Sequence, residues 1–258
     1  MVDVMRTIAI ANQKGGAGKT TTAVHLAVAL AQLGHRVLLV DLDGQGNATT
    51  YLGLKKHGGP LLEVLLGKRK LEAAVEHTTF GVDVLGGGPE LEGIDVVLFL
   101  EKKNTAAFLL KQRLDQAAVS GTWDYALIDC PPNLGTATAP ALLAASEVLI
   151  PVQTEGMAAE GVGRLCENIE EVKTMNSHLR VIGVLPCMSN SRESLTQLVE
   201  ELLKERFGEL VFSVSIKRTT KLAQSYTAHT PMHAYDPKNP TVKQYNTVAR
   251  ELVARGKV

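Results

Sequence analysis

Two lysines that bracket a glycine-rich run are the residues of this sequence best suited to chemistry. The run is, in order, Lys14, Gly15, Gly16, Ala17, Gly18, Lys19, Thr20 and Thr21. Glycines let consecutive backbone N–H groups point into one concave turn, where they can bind a phosphate group. A lysine at the end of the turn adds positive charge, and a hydroxyl beside it is a ligand for Mg²⁺. The run therefore predicts a phosphate-binding loop.

The flanking residues predict the elements that hold this loop. Apolar residues 8–11 are typical of a buried strand, and residues 23–33 have apolar side chains at helical spacing. The loop would connect that strand to the N-terminus of the helix, whose partial positive charge attracts phosphate. Lys19 would then reach the β- and γ-phosphates of a nucleotide, and the Thr20 hydroxyl would bind Mg²⁺. The general pattern has a glycine where this chain has Gln13, so the loop is a variant.

Two further apolar runs end in carboxylates. Residues 35–43 indicate a buried strand with Asp41 and Asp43 near its end, and residues 123–129 end at Asp129, shortly before two prolines. Open α/β sheets bind ligands at the carboxyl edge of their strands. We therefore expect these carboxylates beside the loop, where their oxygens suit Mg²⁺.

Short apolar runs alternate with helical patterns along nearly the whole chain of 258 residues. The sequence is 45% hydrophobic but only 4% aromatic, which suits parallel strands covered by helices on both faces. We therefore expect one α/β domain over residues 1–258, with a single doubly wound, mostly parallel sheet and no helix-turn-helix domain before the loop. Further strands are predicted at residues 80–85, 147–153, 180–187 and 211–216. Further helices are predicted at residues 95–119, 157–175, 191–207 and 241–254.

Three stretches of the sequence carry more specific expectations. Glycines 86–88 predict a flexible loop. The apolar residues of the 241–254 helix form a stripe that could pack on the sheet. The 191–207 helix is expected to present five apolar side chains on one face, namely Leu195, Leu198, Val199, Leu202 and Leu203.

Charge and cysteine content narrow the classes of function. The formal net charge is zero, yet residues 211–258 carry eight Lys and Arg against two Asp and Glu. A basic end on an acidic body predicts a localised surface that binds anions. No apolar run approaches the ~20 residues of a membrane span. The three cysteines are far apart and show no metal-ligand spacing, so we expect a reduced, cytoplasmic setting.

The loop resembles one specific variant. Lys-Gly-Gly-Ala-Gly-Lys-Thr-Thr is similar to the deviant Walker A loop of the ParA/MinD family of P-loop ATPases. In that family the first lysine, here Lys14, reaches across a dimer interface to the partner's nucleotide. The resemblance implies ATP and Mg²⁺ as cofactors, with ATP held by residues 14–21 and with Lys14 and Lys19 acting in catalysis. A glycine-rich turn that binds nothing is the alternative.

The carboxylates fit the same resemblance. Residues 41–47 resemble the family's Asp-x-Asp-Pro-Gln-x-Asn segment, with Gly44 in place of the proline. The resemblance makes Asp43 the residue that positions the attacking water or the Mg²⁺ shell, although an aspartate here could instead cap the next helix. The second run looks like a Walker B strand, with Asp129 holding Mg²⁺ directly or through water. Thr20 completes the expected set of metal ligands.

Residues 216–222 resemble the place where ParA proteins carry basic residues that touch DNA. Lys217, Arg218 and Lys221 are the matching side chains, although family members usually have a proline near Lys217. Arg192 resembles a second DNA-contacting arginine. Binding through phosphates would be nonspecific and would weaken steeply with salt. Scattered, solvated charges are the alternative for each residue.

A ParA/Soj-type partition ATPase is the function that the resemblance implies. ATP would close a homodimer that binds nonspecific double-stranded DNA on the nucleoid, and a ParB-type partner would stimulate slow hydrolysis and cause release. A MinD-type, membrane-associated division-site regulator and a positioner of another cargo remain alternatives. Residues 254–258 lack the bulky side chains of a membrane-targeting helix, so we do not expect membrane attachment.

A redox enzyme like the nitrogenase iron protein is the third class, because that protein shares the deviant loop. It needs cysteines from two subunits to hold an iron–sulfur cluster. Cys130, Cys166 and Cys187 do not match those positions.

Overall fold

The computed structural model describes residues 5–91, 108–132, 138–155, 158–190 and 194–256, which form one eight-stranded sheet with helices on both faces. The strands are β1 (Arg6–Ile10), β2 (Val37–Asp41), β3 (Glu76–His77), β4 (Val82–Leu85), β5 (Tyr125–Asp129), β6 (Glu147–Gln153), β7 (Arg180–Ser189) and β8 (Ile216–Lys217). The helices are α1 (Lys19–Gln32), α2 (Asn47–Tyr51), α3 (Gly59–Leu66), α4 (Leu109–Ser120), α5 (Ala139–Ala144), α6 (Ala158–Lys173), α7 (Ser194–Phe207), α8 (Thr220–Thr227), α9 (Met232–Tyr235) and α10 (Pro240–Arg255). The predicted fold class is confirmed.

Parallel pairing brings the chemistry of three strands to one edge of the sheet. The strand order is β3-β4-β2-β5-β1-β6-β7-β8, and every described pair is parallel except β3 with β4. Ile10 at the end of β1 and Asp41 at the end of β2 both lie opposite Asp129 of β5. The loop that follows β1 therefore begins beside two carboxylates, at the edge where α/β sheets bind ligands.

Alternation along the central strand divides the apolar core into two layers. Ile8 and Ile10 pack in a cluster with residues of α1 and α10, whereas Ala9 and Ala11 pack in a cluster with residues of α3, α4 and α6. Successive side chains of a strand point to opposite faces, so a strand covered on both sides is apolar throughout. This arrangement fixes β1, and with it the start of the loop.

Most of the apolar stripe of α10 is buried, but chiefly against another helix rather than on the sheet as predicted, and Val253 is only partly buried. Val242, Tyr245, Val248 and Leu252 are buried, and α10 packs chiefly against α1 in the same layer of the core. None of the described helices, α10 included, is both long and apolar enough to cross a bilayer.

Helix α7 buries only part of the face predicted for it. Val199 and Leu203 are 2% and 0% exposed, and Thr196 is buried beside them. Thr196, Val199 and Leu203 are three and then four residues apart, so they share one side of the helix. The remaining three leucines lie next to that side and are 42–52% exposed, namely Leu195, Leu198 and Leu202.

The strand predicted at residues 211–216 is wrong in extent. Only Ile216–Lys217 forms β8, and Val211 makes an isolated bridge to β7. Between them, Ser213 donates its N–H and its hydroxyl to Glu251 at 3.1 and 2.7 Å. These bonds to α10 replace the ladder to β7. The helix predicted at residues 95–119 is described only from residue 108 onward, where it is α4.

Glycines 86–88, predicted to form a flexible loop, are buried. A Cβ on Gly87 would lie 2.7 Å from Asp41 Cγ and 2.7 Å from the carbonyl oxygen of Asp43. The Gly87 N–H also donates to Thr49 Oγ1 at 2.9 Å. The segment is therefore packed against the turn that follows β2, where only a glycine leaves room for the carboxylate.

Candidate nucleotide-binding site

The glycine-rich loop runs from the end of β1 to the first residue of α1, as predicted. Gly16 and Gly18 have φ angles of +72° and +91°, a region that glycine adopts without the strain of a side chain. Gly18 stands directly before Lys19, and a Cβ added to it would lie 3.6 Å from Cys187 Sγ. The glycines thus shape the turn that brings the N-terminus of α1 to the end of β1.

Two side chains with no sequence signal of their own hold the loop against β6. Asn12 is buried, its Nδ2 donates to the carbonyl of Pro151 at 2.6 Å, and its Oδ1 accepts the N–H of Lys14 at 2.9 Å. Gln153 Nε2 donates to the carbonyl of Gly16 at 3.0 Å. A lone asparagine before a glycine run predicts a turn but not its anchor. These contacts exist because the sheet topology places β6 beside β1, which the sequence pattern around Asn12 does not reveal.

Lys19 lies at the start of α1 with its side chain almost buried. The residue is 7% exposed, and its ammonium donates to the carbonyl of Lys14 at 3.3 Å. Burial lowers the pKa of Lys19, while the nearby carboxylates of Asp129 and Asp43 oppose that shift. An ammonium has three donors, so this group keeps hydrogen-bonding capacity for an anionic oxygen in the loop.

Lys14, unlike Lys19, has an exposed side chain. Its ammonium contacts Glu155 Oε2 at 2.5 Å, and the two side chains are 54% and 63% exposed. Gln13, Lys14, Glu155 and Arg164 line a cavity of about 460 Å³ on this side of the loop. In the single chain, the first lysine of the deviant loop is therefore paired with a carboxylate of its own subunit.

Asp129 ends β5 as predicted, and its side chain is fully buried. Neither carboxylate oxygen is in hydrogen-bonding geometry with any described residue, although the Thr20 hydroxyl is close enough to lower its pKa. Burial, and next the charge of Asp41, raise the pKa of Asp129 well above its usual value. A buried carboxylate without donors is costly unless a cation compensates it. This oxygen pair is therefore available to a metal ion.

Asp41 has the opposite environment. Its Oδ2 accepts the N–H and the hydroxyl of Thr49 at 2.9 and 2.7 Å, and its Oδ1 accepts the N–H of Asp43 at 3.2 Å. Burial raises the pKa of Asp41 to about 6, and the bonds from Thr49 oppose the rise. Asp41 therefore fixes the turn between β2 and α2.

Asp43 lies in that turn and is half-buried. Its Oδ1 accepts the N–H of Gln45 at 2.9 Å, and its carbonyl accepts the N–H of Gly46 at 2.8 Å. Gly46, not Asp43, precedes the first residue of α2, and that helix has no side-chain cap. The capping interpretation of Asp43 is therefore wrong, and its carboxylate stands beside the site.

The residues present fit a magnesium ion that arrives with a nucleotide. The Asp129 carboxylate, which has no hydrogen-bond donor among the described residues, and the neighbouring Thr20 hydroxyl supply hard oxygen ligands. Within the part of the chain that the structure describes, no group of three or more His, Cys, Asp or Glu is arranged to hold a metal. Mg²⁺ usually keeps several waters and binds through one or two protein ligands plus phosphate oxygens. Asp129 and Thr20 would be the two protein ligands, and the nucleotide and water would supply the rest.

The predicted basic residues lie together at one end of the sheet. Lys217 ends β8, Lys221 lies in the first turn of α8, and Arg218 lies between the two elements. All three are exposed, and none forms an ion pair within the described ranges. The backbone beneath them is fixed, since the Arg218 N–H donates to the carbonyl of Ser189 at 3.0 Å and the Lys221 N–H to Thr219 Oγ1 at 3.2 Å. Arg192 lies outside the described residues, so its assignment stays a prediction.

A cavity of about 520 Å³ joins the loop to residues 217–221, which are called the basic segment below. Its lining includes Thr20 and Thr21 of α1 together with Lys217 and Arg218. The sequence separates these pairs by almost two hundred positions, yet the parallel sheet places them around one space.

The fold and this loop define a class of protein, the P-loop ATPases. The AAA domain family AAA_31 matches residues 5–181. A solved structure described as cobyrinic acid a,c-diamide synthase from Mycobacterium smegmatis, with bound ATP analogue and magnesium, has a TM-score of 0.83. It is 35% identical in sequence, and the match covers 98% of this chain and 96% of that one. ATP and Mg²⁺ are the cofactors of this site.

Sequence relatives narrow the class further. The chain is 42% identical over 252 residues to the chromosome-partitioning ATPase Soj of Thermus thermophilus, covering 97% of this chain and 96% of that protein. It is 37% identical over 255 residues to the chromosome partitioning protein ParA of Caulobacter vibrioides, covering 97% and 95%. The chain belongs to the ParA/Soj family of ATPases.

Proposed function

We propose that this chain is a DNA-partition ATPase that binds nonspecific DNA in an ATP-bound, dimeric state. The observation that carries the proposal is the cavity shared by Thr20 and Thr21 of the loop and by Lys217 and Arg218 of the basic segment. A triphosphate on the loop would lie beside the basic surface, where it can bias that surface toward one arrangement. The descriptions of the relatives as chromosome-partitioning proteins support the same function.

The nucleotide would be held by residues 14–21. Lys19, already buried beside the loop, would contact the β- and γ-phosphates, and Thr20 with Asp129 would hold Mg²⁺. Asp43 would orient the attacking water or a water of the Mg²⁺ shell, because its turn stands at the same sheet edge. This division leaves Asp41 as the residue that holds the turn.

Dimerisation would depend on Lys14. A partner's triphosphate carries more negative charge than one carboxylate, so it would draw the Lys14 ammonium from Glu155. Both side chains are more than half exposed, and breaking such a pair costs about 1 kcal/mol or less. A nucleotide bound by one subunit would thereby also be contacted by Lys14 of the other subunit.

DNA binding would follow from the paired basic surfaces. Each subunit contributes Lys217, Arg218 and Lys221, and their contacts with phosphates carry no sequence information. A ParB-type partner would stimulate slow hydrolysis. Loss of the γ-phosphate would then remove the bias toward the DNA-binding arrangement and release the protein.

The decisive experiment measures binding to random-sequence duplex DNA with a non-hydrolysable ATP analogue, with ADP and without nucleotide. The proposal expects tight binding only with the analogue and Mg²⁺. Equal binding in all three states contradicts it. Co-sedimentation with anionic vesicles together with indifference to DNA would favour a membrane-associated regulator instead. ATP turnover that rises with cobyrinic acid and not with DNA would favour the activity named for the Mycobacterium smegmatis structure.

A further inference from the structure

A cluster of polar and aromatic side chains lies between the phosphate loop and the basic segment. The cluster comes from five helices in two distant parts of the sequence, α1 and α2 near its start and α8, α9 and α10 near its end. Its members are His25, Tyr51, Ser225, Tyr226, His233 and Tyr245, called the buried cluster below. All are buried except Tyr226, which is half-buried. The hydrogen bonds of the buried cluster connect α1 and α2 with α8, the helix that carries Lys221.

On one side, the buried cluster is attached to the first turns of α1. His25 Nδ1 lies 2.7 Å from the carbonyl of Thr21, and His25 Nε2 accepts the N–H of Met232 at 3.2 Å. These partners assign a neutral ring with its proton on Nδ1. Tyr245 stacks on this ring with centroids 4.9 Å apart, and its hydroxyl lies 3.5 Å from Thr22 Oγ1. The helix that begins at the phosphate loop therefore forms one wall of the buried cluster.

On the other side, both ends of α2 are bonded to α8. The Tyr51 hydroxyl lies 2.6 Å from Ser225 Oγ and 3.2 Å from the carbonyl of Leu222. The Tyr226 hydroxyl donates to Asn47 Oδ1 at 2.8 Å, and the rings of Tyr51 and Tyr226 meet edge to face at 5.2 Å. Asn47 and Tyr51 are the first and last residues of α2. The short helix is thus held against α8 at two points.

Helix α2 is also the element that follows Asp43. Thr49, in its middle, is bonded through its N–H and hydroxyl to Asp41. A displacement of the Asp43 turn by triphosphate and Mg²⁺ would therefore move α2. Separating α2 from α8 would leave buried polar groups without partners, which is unfavourable, so the two helices would move together.

We propose that Tyr51, Ser225 and Tyr226 are positioning residues that transmit the nucleotide state of the Asp43 turn to the basic segment. The inference rests on the proposed DNA-binding function and specifies how the two sites communicate. The bonds from α2 to α8 place Lys221, which lies in the first turn of α8, whereas Lys217 and Arg218 are held by the pairing with β7. A coupling of this kind requires that the two nucleotide states favour different placements of α8.

The test compares DNA affinity with the ATP analogue and with ADP, each at saturating nucleotide, at one salt concentration. Tyr226→Phe removes the hydroxyl that bonds to Asn47 but keeps the ring, and Ser225→Ala removes the nearest partner of the Tyr51 hydroxyl. We expect the ratio of the two affinities to fall by about fivefold or more in either variant, within the range of measured couplings. Tyr235→Phe, which changes an exposed tyrosine of α9, is the matched control and should keep the ratio.

A double variant shows whether the effect comes from the bond between Asn47 and Tyr226. If Asn47→Ala and Tyr226→Phe break the same bond, the ratio in the double variant should equal that in the single variants. A wild-type protein with equal affinity in both states overturns the proposed function and this inference together. A wild-type protein that responds to nucleotide, with Tyr226→Phe and Ser225→Ala variants that keep its full ratio, overturns the inference alone.

Discussion

Asp41 and Asp129 lie opposite each other at the ends of adjacent parallel strands, and only Asp41 has hydrogen-bond donors among the described residues. Thr49 and Asp43 donate to Asp41, so that carboxylate is committed to the turn. Asp129 has no hydrogen-bond donor among the described residues, and the nearby charge of Lys19 opposes the effect of burial only in part. The two carboxylates thus differ in their surroundings, Asp41 holding the turn and Asp129 being the proposed ligand of Mg²⁺, although sequence position alone makes them look alike.

The first prediction follows from that difference. Asp129→Asn should remove the dependence of ATP affinity on Mg²⁺, since the amide cannot supply the anionic ligand. Asp41→Asn should keep the Mg²⁺ dependence and instead lower the free energy of unfolding by about 1–3 kcal/mol, the cost of disturbed buried hydrogen bonds. Titration calorimetry with and without Mg²⁺ checks the former, and urea denaturation checks the latter. A Mg²⁺ response that survives in Asp129→Asn removes this residue from the metal site.

The second prediction concerns Lys19. Lys19→Ala should abolish ATP binding, weakening it at least about a hundredfold, because charge-assisted bonds to two phosphates are lost. Lys111→Ala, which removes a surface lysine paired with Asp115, is the control and should bind ATP normally. Equilibrium binding of a fluorescent ATP analogue measures both. Normal affinity in Lys19→Ala would place the nucleotide elsewhere.

The third prediction separates binding from turnover at Asp43. Asp43→Ala should keep ATP binding and ATP-dependent dimerisation but stall hydrolysis, because the role proposed for this carboxylate is to orient water and not to hold the loop. Phosphate release under saturating ATP, alongside sedimentation velocity, gives the two readouts. Hydrolysis at the wild-type rate would end the role assigned to Asp43.

The fourth prediction concerns the exposed ion pair of the loop. Lys14→Ala should remain monomeric with the ATP analogue and Mg²⁺. Glu155→Gln should strengthen dimerisation by about fivefold at most, because an exposed pair is worth about 1 kcal/mol or less. Sedimentation velocity at several protein concentrations measures both. A Lys14→Ala protein that dimerises like wild type contradicts the contact across the interface.

The fifth prediction is a pH dependence that comes from His25. Burial lowers the pKa of His25 to about 3, whereas a histidine in the unfolded chain titrates near its usual value of 6.5. Below pH 6.5 the unfolded chain therefore binds a proton that the folded protein excludes, so acidification favours unfolding. This group alone should lower the free energy of unfolding by about 2 kcal/mol between pH 8 and pH 5.

Denaturation by urea across that pH range, in wild type and in His25→Asn, isolates the contribution. The variant has no titrating ring at this position, so its free energy of unfolding should fall less on acidification, by about the contribution assigned to His25. His178→Asn, which replaces an exposed histidine, should keep it. If the free energy of unfolding depends on pH equally in His25→Asn and wild type, His25 does not cause the pH dependence.

Local sequence patterns predicted the fold and the centre of the site because the relevant physics is local. A strand, a glycine-rich turn and a helix follow one another within residues 6–32, and the loop chemistry is legible in its residue types. Asp129 was predictable because a buried strand stops at it. The ends of parallel strands meet at one edge, so their order along the chain was enough to bring them together.

The rest depends on contacts between distant segments. Asn12 and Gln153 anchor the loop only because β6 lies beside β1. The 86–88 glycines suggested a mobile connection, but their burial against Asp41 is visible only once β4 pairs with β2. Likewise, no pattern in the sequence distinguishes the buried side of α7 from the exposed leucines beside it.

The two outermost strands of the sheet have a consequence for assembly. Strands β3 and β8, one at each border, are only two residues long. Such short borders offer little backbone for a second copy to extend the sheet, a route that leads other proteins to fibres. Self-association is thereby directed away from strand addition. The dimer proposed above would therefore form through other surfaces, such as the loop that carries Lys14.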